Sequence, residues 1–136
     1  MINVESSAPA GFDTASLTAR AIWTCERLGI TTASVGLMVV DPERMAEING
    51  AYRDRPRPTD VLSFPIDGPE ALTWDGDGPP PELGDVIICP EAAEEPLETL
   101  VVHGILHLLG YDHETDDGEM LALQDRLTAE AQGAGR

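Results

Sequence analysis

Three histidines, His103, His107 and His113, stand in the run VVHGILHLLGYDH in the pattern H-x3-H-x5-H, and the chain has no others. Neutral imidazole is a good zinc ligand, and three protein ligands with one open position are the usual arrangement of a catalytic zinc. Such an ion would lower the pKa of bound water to about 7. Structural zinc is normally closed by four ligands, often cysteines. Cys25 and Cys89 are not spaced with the histidines, and no fourth ligand stands out. The pattern therefore predicts one metal ion per chain, with an open position. Ligand type favours Zn2+, while nickel and copper also accept imidazoles. A lone histidine on an apolar helix is usually a satisfied core residue; three at this spacing are much harder to assign that way.

The spacing of His103, His107, Gly110 and His113 equals that of the metzincin proteases, HExxHxxGxxH. Position 104 is glycine where those proteases carry the glutamate that serves as general base. The cage is the same and the chemistry is not, so a peptidase reading lacks its proton acceptor.

Positioning these ligands requires a helix and a turn. His103 and His107 are four residues apart in an apolar segment opened by Pro96, so one helical turn puts both imidazoles on one face. Gly110 suits the left-handed residue that ends a helix, after which His113 closes on the other two. Upstream, INVES reads as a short strand, and Asp13 or Thr14 caps a helix through about Leu28, with Leu17, Ala21, Ile22, Cys25 and Leu28 near one face and Gly29 as its stop. Ser34 to Val40 reads as a buried strand. Asp41-Pro42-Glu43 opens a helix to Tyr52. DVLSF is a short strand bounded by prolines, and GDVIIC is another apolar strand. Asp67 to Pro81 reads as a mobile loop, and Asp116 to Ala131 as a final helix burying Met120, Leu121, Leu123 and Leu127. The expected architecture is α+β in a single domain, 1–136: a small mixed sheet flanked by helices, with the zinc cleft formed by the histidine-bearing helix and the turn after it.

Net charge is −17, and the chain contains no lysine. A general electrostatic field for nucleic acid is therefore excluded, and DNA is not an expected partner. Three of the eight cations nonetheless cluster as Arg53, Arg55 and Arg57. The N-terminal run lacks the charged and apolar regions of a signal peptide, and the longest apolar stretch is too short to span a bilayer. Two distant cysteines fit a reducing compartment. These features predict a cytoplasmic protein without membrane partners.

HGILHLLGYDH resembles the signature of the YbeY family, bacterial ribosomal RNA maturation factors described as single-strand-directed, zinc-dependent endoribonucleases. INGAYRDRPRPTDVLSFP resembles that family's N-x-x-YR followed by PTDVLSFP, and LGDVIIC its LGDIVI strand. The resemblance implies that His103, His107 and His113 bind zinc, that Arg53 is needed for RNA cleavage, and that the substrate is ribosomal RNA of the small subunit, matured at its 3′ end, with a part in ribosome quality control. It also implies the small ribosomal subunit, with its ribosomal proteins, as partner. One departure is the stretch EAAEEPLETLVV before HGILH, shorter than in the family and containing Pro96, so a truncated helix or a turn is expected there.

On chemistry, Arg53 either forks onto a phosphate or sits solvated at a helix end, paired with one of 25 acids. Arg55 and Arg57 either extend a phosphate track or belong to a solvated loop. Asp112 either orients an imidazole N–H or caps the final helix. Thr59 and Asp60 are expected to shape a turn, and Trp23 and Trp74 are too isolated for a base-stacking platform. Packing and function are not separable for Asn49 and Tyr52. Two other functions stay open: a ribosome assembly factor with structural zinc, whose acidic surface would suit basic ribosomal proteins, and a metallohydrolase of another substrate.

Overall fold

The structure is a computed structural model and describes residues 1–134. Its strands are β1 (Ile2–Ser7), β2 (Ala33–Val39), β3 (Val61–Pro65) and β4 (Glu82–Ile88), and its helices are α1 (Ala15–Arg27), α2 (Pro42–Arg53), α3 (Leu97–Leu108) and α4 (Glu119–Ala134). The sheet order is β1-β2-β4-β3. β1, β2 and β4 are parallel, and β3 runs antiparallel to β4 at the sheet edge. This is the α+β arrangement with a mixed sheet that the sequence predicts.

Strand periodicity decides which helix covers which face. In β2 the alternate residues Ala33, Val35, Leu37 and Val39 are buried against α1 and α3. β4 is covered on both faces, which is why GDVIIC reads as a continuous apolar run. Val86 and Ile88 join the core under α1 and α3, whereas Ile87 joins Met45, Ile48 and Leu62 under α2. α4 does not reach the sheet core; Met120 and Leu127 pack on Val102 and Leu106 of α3.

The caps follow from local chemistry. Asp41 accepts the Arg44 N–H at 2.7 Å with Pro42 in the first turn, and Asp13 accepts the Ala15 N–H at 2.9 Å. α2 runs one residue beyond Tyr52, ending at Arg53, with Asp54 in the left-handed conformation (φ +54°) as its stop.

Three expectations are corrected. The last helix begins at Glu119, not Asp116, because Gly118 has φ +102° and the Asp116 carboxylate is used as a cap, accepting the N–H groups of Gly118 and Met120. Leu121 is 45% exposed, since the buried stripe of α4 is Met120, Gln124, Leu127 and Ala131. Residues 67–81 are not a wholly mobile loop. They contain a 3-10 turn, Gly68–Leu72, with Ala71 in the core, and Asp67 exchanges backbone and side-chain hydrogen bonds with Glu82. Between β4 and α3 lies one 3-10 turn, Pro90–Ala92, in keeping with the shortened connection expected there. No helix of the described residues is long and apolar enough to cross a membrane.

Candidate metal centre and cleft

α3 presents three different faces. Leu100, Val101, Ile105 and Leu108 enter the sheet core, Val102 and Leu106 meet α4, and His103 and His107 face the cleft. What sets this rotation is Gly104. A Cβ there would stand 2.5 Å from Cγ1 of Val86 and 3.3 Å from Oγ of Ser63, so only glycine permits the helix to lie this close to β4 and β3. Ser63 donates its hydroxyl to the Gly104 carbonyl at 3.0 Å, tying β3 to the same turn. The missing glutamate of the protease pattern therefore has a steric cause: position 104 points into the helix–sheet contact, not into the cleft.

Beyond α3 the chain turns at Gly110 (φ +101°), with Pro69 of the 3-10 turn close beneath it. That turn delivers His113, and one nitrogen from each of His103, His107 and His113 lies within 4.8 Å of the others. Ring centroids are 4.7 Å apart for His103 and His107, and 5.4 Å from each to His113. Nδ1–H of His103 donates to Oε1 of Gln124 at 2.7 Å, which leaves Nε2 with its lone pair for a ligand bond. Burial, then the neighbouring His103 and His113, holds His107 below the usual histidine range, so it is neutral and able to coordinate at pH 7. Three convergent imidazoles, one with its tautomer fixed and one kept neutral, are a donor set that fits a divalent cation such as zinc.

The histidines open onto a cleft of about 560 Å³ that runs past the free edge of β3. α3 and its turn form one wall, and residues Thr59 to Pro65 with Arg53 form the other. The described residues contain two ion pairs, Arg27–Glu130 and Arg44–Glu47, so Arg53 has no carboxylate partner among them. A helix-end arginine answering a nearby acid is thus not what is found. Arg55 and Arg57 are exposed and lie outside the cleft lining. Asp112 lines the cleft, but its carboxylate accepts the Glu114 N–H, shaping the turn that carries His113; Asp116 caps α4. Thr59 and Asp60 both line the cleft, and Asp60 also accepts the Val61 N–H at 2.8 Å.

Asn49 proves to be an anchor. It is buried, and its side-chain amide nitrogen donates to the Arg57 carbonyl at 2.9 Å while its backbone carbonyl accepts the Arg55 N–H, so the arginine loop is fastened to α2. Sequence reasoning missed Gln124 and the steric role of Gly104. The available signal for Gln124 was its place in the spacing Met120, Gln124, Leu127, Ala131, a polar residue within an otherwise apolar helical stripe.

Fold and site together define an α+β protein with three clustered histidines, able to hold a metal ion, in a cleft at a sheet edge. The family model described as Endoribonuclease YbeY matches residues 11–132. Among curated relatives, the Endoribonuclease YbeY of Acidothermus cellulolyticus is 44% identical over 112 residues, covering 70% of this chain and 68% of that one. That of Beutenbergia cavernae is 38% identical over 138 residues, covering 91% and 92%. A protein of Thermotoga maritima solved in solution superimposes with a TM-score of 0.62 at 28% identity, covering all of this chain and 92% of that one. The chain belongs to the YbeY family.

Proposed function

We propose that this protein is a metal-dependent endoribonuclease that cleaves single-stranded ribosomal RNA in the cytoplasm, maturing the 3′ end of small-subunit RNA and serving ribosome quality control. The observation that carries this reading is an arginine without a carboxylate partner on the wall of the same cleft as three convergent imidazoles. Zinc held by His103, His107 and His113 would supply Lewis acidity and the means to make water nucleophilic near neutral pH. Arg53 would fork onto non-bridging phosphate oxygens and offset the charge that builds on phosphorus, a geometry lysine does not reproduce. Gln124 orients one imidazole, and Ser63 holds β3 against the ligand helix. Asp60, Asp112 and Glu114 are the carboxylates of the cleft and hence its available proton acceptors.

The test is cleavage of a small-subunit RNA 3′ precursor by wild type, Arg53→Ala and His107→Ala, purified identically, with folding and metal content measured on each. Wild type alone should cut, Arg53→Ala should keep its metal, and chelation should abolish the activity. Equal cutting by all three would identify a contaminating ribonuclease and overturn the proposal. The −17 charge favours a second reading, an assembly factor docking on basic ribosomal proteins with a structural ion. Under that reading the histidine variants unfold; under the enzymatic one they stay folded and inactive.

A further inference from the structure

Tyr52 and Phe64 form an aromatic pair whose role neither the metal centre nor Arg53 explains. Tyr52 occupies the last turn of α2, immediately before Arg53, and is 73% exposed. Phe64 lies on β3, lines the cleft and packs against the core beneath α2. The two rings meet edge to face, with centroids 5.2 Å apart and planes at 63°. A single exposed aromatic residue needs no explanation on a soluble protein. Here the exposed ring is steadied by a partly buried one; Tyr52 directly precedes, and Phe64 shares the cleft with, an arginine whose charge no carboxylate in the described residues answers.

Charge sharpens the question. With no lysine and a net charge of −17, the protein has few cations with which to hold a polyanion, and Arg27 and Arg44 are already paired. Affinity for RNA must then come largely from contacts that are not ionic. Base–aromatic stacking is such a contact, is tolerant of sequence, and is open to an unpaired base but not to one stacked within a duplex.

We propose that Tyr52, steadied by Phe64, is a stacking platform for an unpaired nucleobase at the rim of the cleft, placing the adjoining phosphate at Arg53. This rests on the endoribonuclease reading and adds a specificity element to it: selection of single strands by stacking, not by phosphate charge. β3 carries Phe64 and lies between α2 and α3, so a bound strand would cross the free edge of β3, with a base held on the α2 side and its backbone facing the histidines.

The experiment measures binding of a fluorescein-labelled 2′-O-methyl oligoribonucleotide of mixed sequence, and of the same backbone without bases, by anisotropy. Wild type, Tyr52→Ala and Tyr52→Phe are compared, with Phe64→Leu as a variant that keeps the core filled. Removing the ring should weaken binding of the base-bearing strand about tenfold, Tyr52→Phe should stay close to wild type, and Phe64→Leu should fall between. Tyr52→Ala should bind the baseless strand as wild type does, and in cleavage should raise KM more than it lowers kcat. A Tyr52→Ala protein that loses affinity equally for both strands, or for neither, overturns the platform. A wild type that binds both strands equally overturns the platform while leaving the nuclease intact. A wild type that binds neither strand and cuts no precursor overturns the function reading and the platform with it.

Discussion

Replacing Gly104 by alanine tests the contact that orients His103 and His107. The new Cβ would stand 2.5 Å from Cγ1 and 3.0 Å from Cγ2 of Val86, and 3.3 Å from Oγ of Ser63. Carbon atoms rest about 3.5–4.0 Å apart, so α3 must retreat from β4 by roughly 1 Å. Overpacking of this kind costs about 1–3 kcal/mol, and stretching the Ser63–Gly104 hydrogen bond costs about 1 kcal/mol more. Alanine recovers about 1 kcal/mol of helix propensity over glycine. The net is a loss of about 1–3 kcal/mol, or about 3–12 °C in Tm for a chain of this size. A shift of that size in His103 and His107 relative to Arg53 should lower the rate by up to about a hundredfold. Val86→Ala removes both methyl groups that the new Cβ meets. Thermal unfolding of wild type, both single variants and the double variant should show the double variant more stable than the sum of the singles by about 1 kcal/mol. If Gly104→Ala raises Tm, or the two substitutions simply add, then this close approach does not fix the helix on the sheet and the argument fails.

Gln124→Leu fills the same space without the acceptor for His103, so metal affinity should drop about 10- to 100-fold with little change in Tm of the metal-free protein; competition with a chelator reads this, and unchanged affinity would mean that Gln124 merely packs. His107 has its pKa lowered by burial and by its imidazole neighbours, so just below 6.5 the unfolded chain binds more protons than the native one. Stability of the metal-free protein should therefore rise with pH through that window and level off above 6.5, and urea unfolding should show a shallower rise in His107→Gln; an identical slope in both proteins would refute the assignment. Both cysteines are fully buried, and desolvation, with the Glu26 charge second, pushes the Cys25 thiol up to about 12. A disulfide exchange reagent should find no reactive thiol in the native protein at pH 8 and both in urea, and rapid native labelling would show that the core around Cys25 opens readily.

The clustering of the three histidines was legible because local spacing within one helix and its turn decides their geometry, and no long-range contact is needed to bring His103 and His107 together. The strands β2 and β4 and the start of α2 were legible for the same reason: alternation, an apolar run, and an Asp-Pro cap are local signals. What was not legible depends on partners distant in the chain. Leu121 is apolar, but its exposure follows from which face of α4 packs on α3, the one carrying Met120 and Leu127. The 67–81 segment is rich in glycine and proline, yet Ala71 finds a place in the core and Glu82 pins its beginning. Gln124 bonds a histidine 21 residues away in sequence, and Gly104 is glycine because of Val86, on a strand that precedes α3.

The short connection at Pro90–Ala92 has a consequence for how this protein tolerates changes of length. The rotation of α3 is set along its own sides, by β4 at Gly104 and by α4 at Val102 and Leu106, and not by the point at which the chain enters it. Residues gained between Ala93 and Pro96, after the last core contacts of this connection, should therefore leave the histidines where they are. One residue inserted within α3 would turn everything beyond it by about 100° and disperse the three imidazoles. Insertions and deletions should be tolerated just before Pro96 and purged beyond it, so that the start of α3 is also a boundary in evolutionary tolerance.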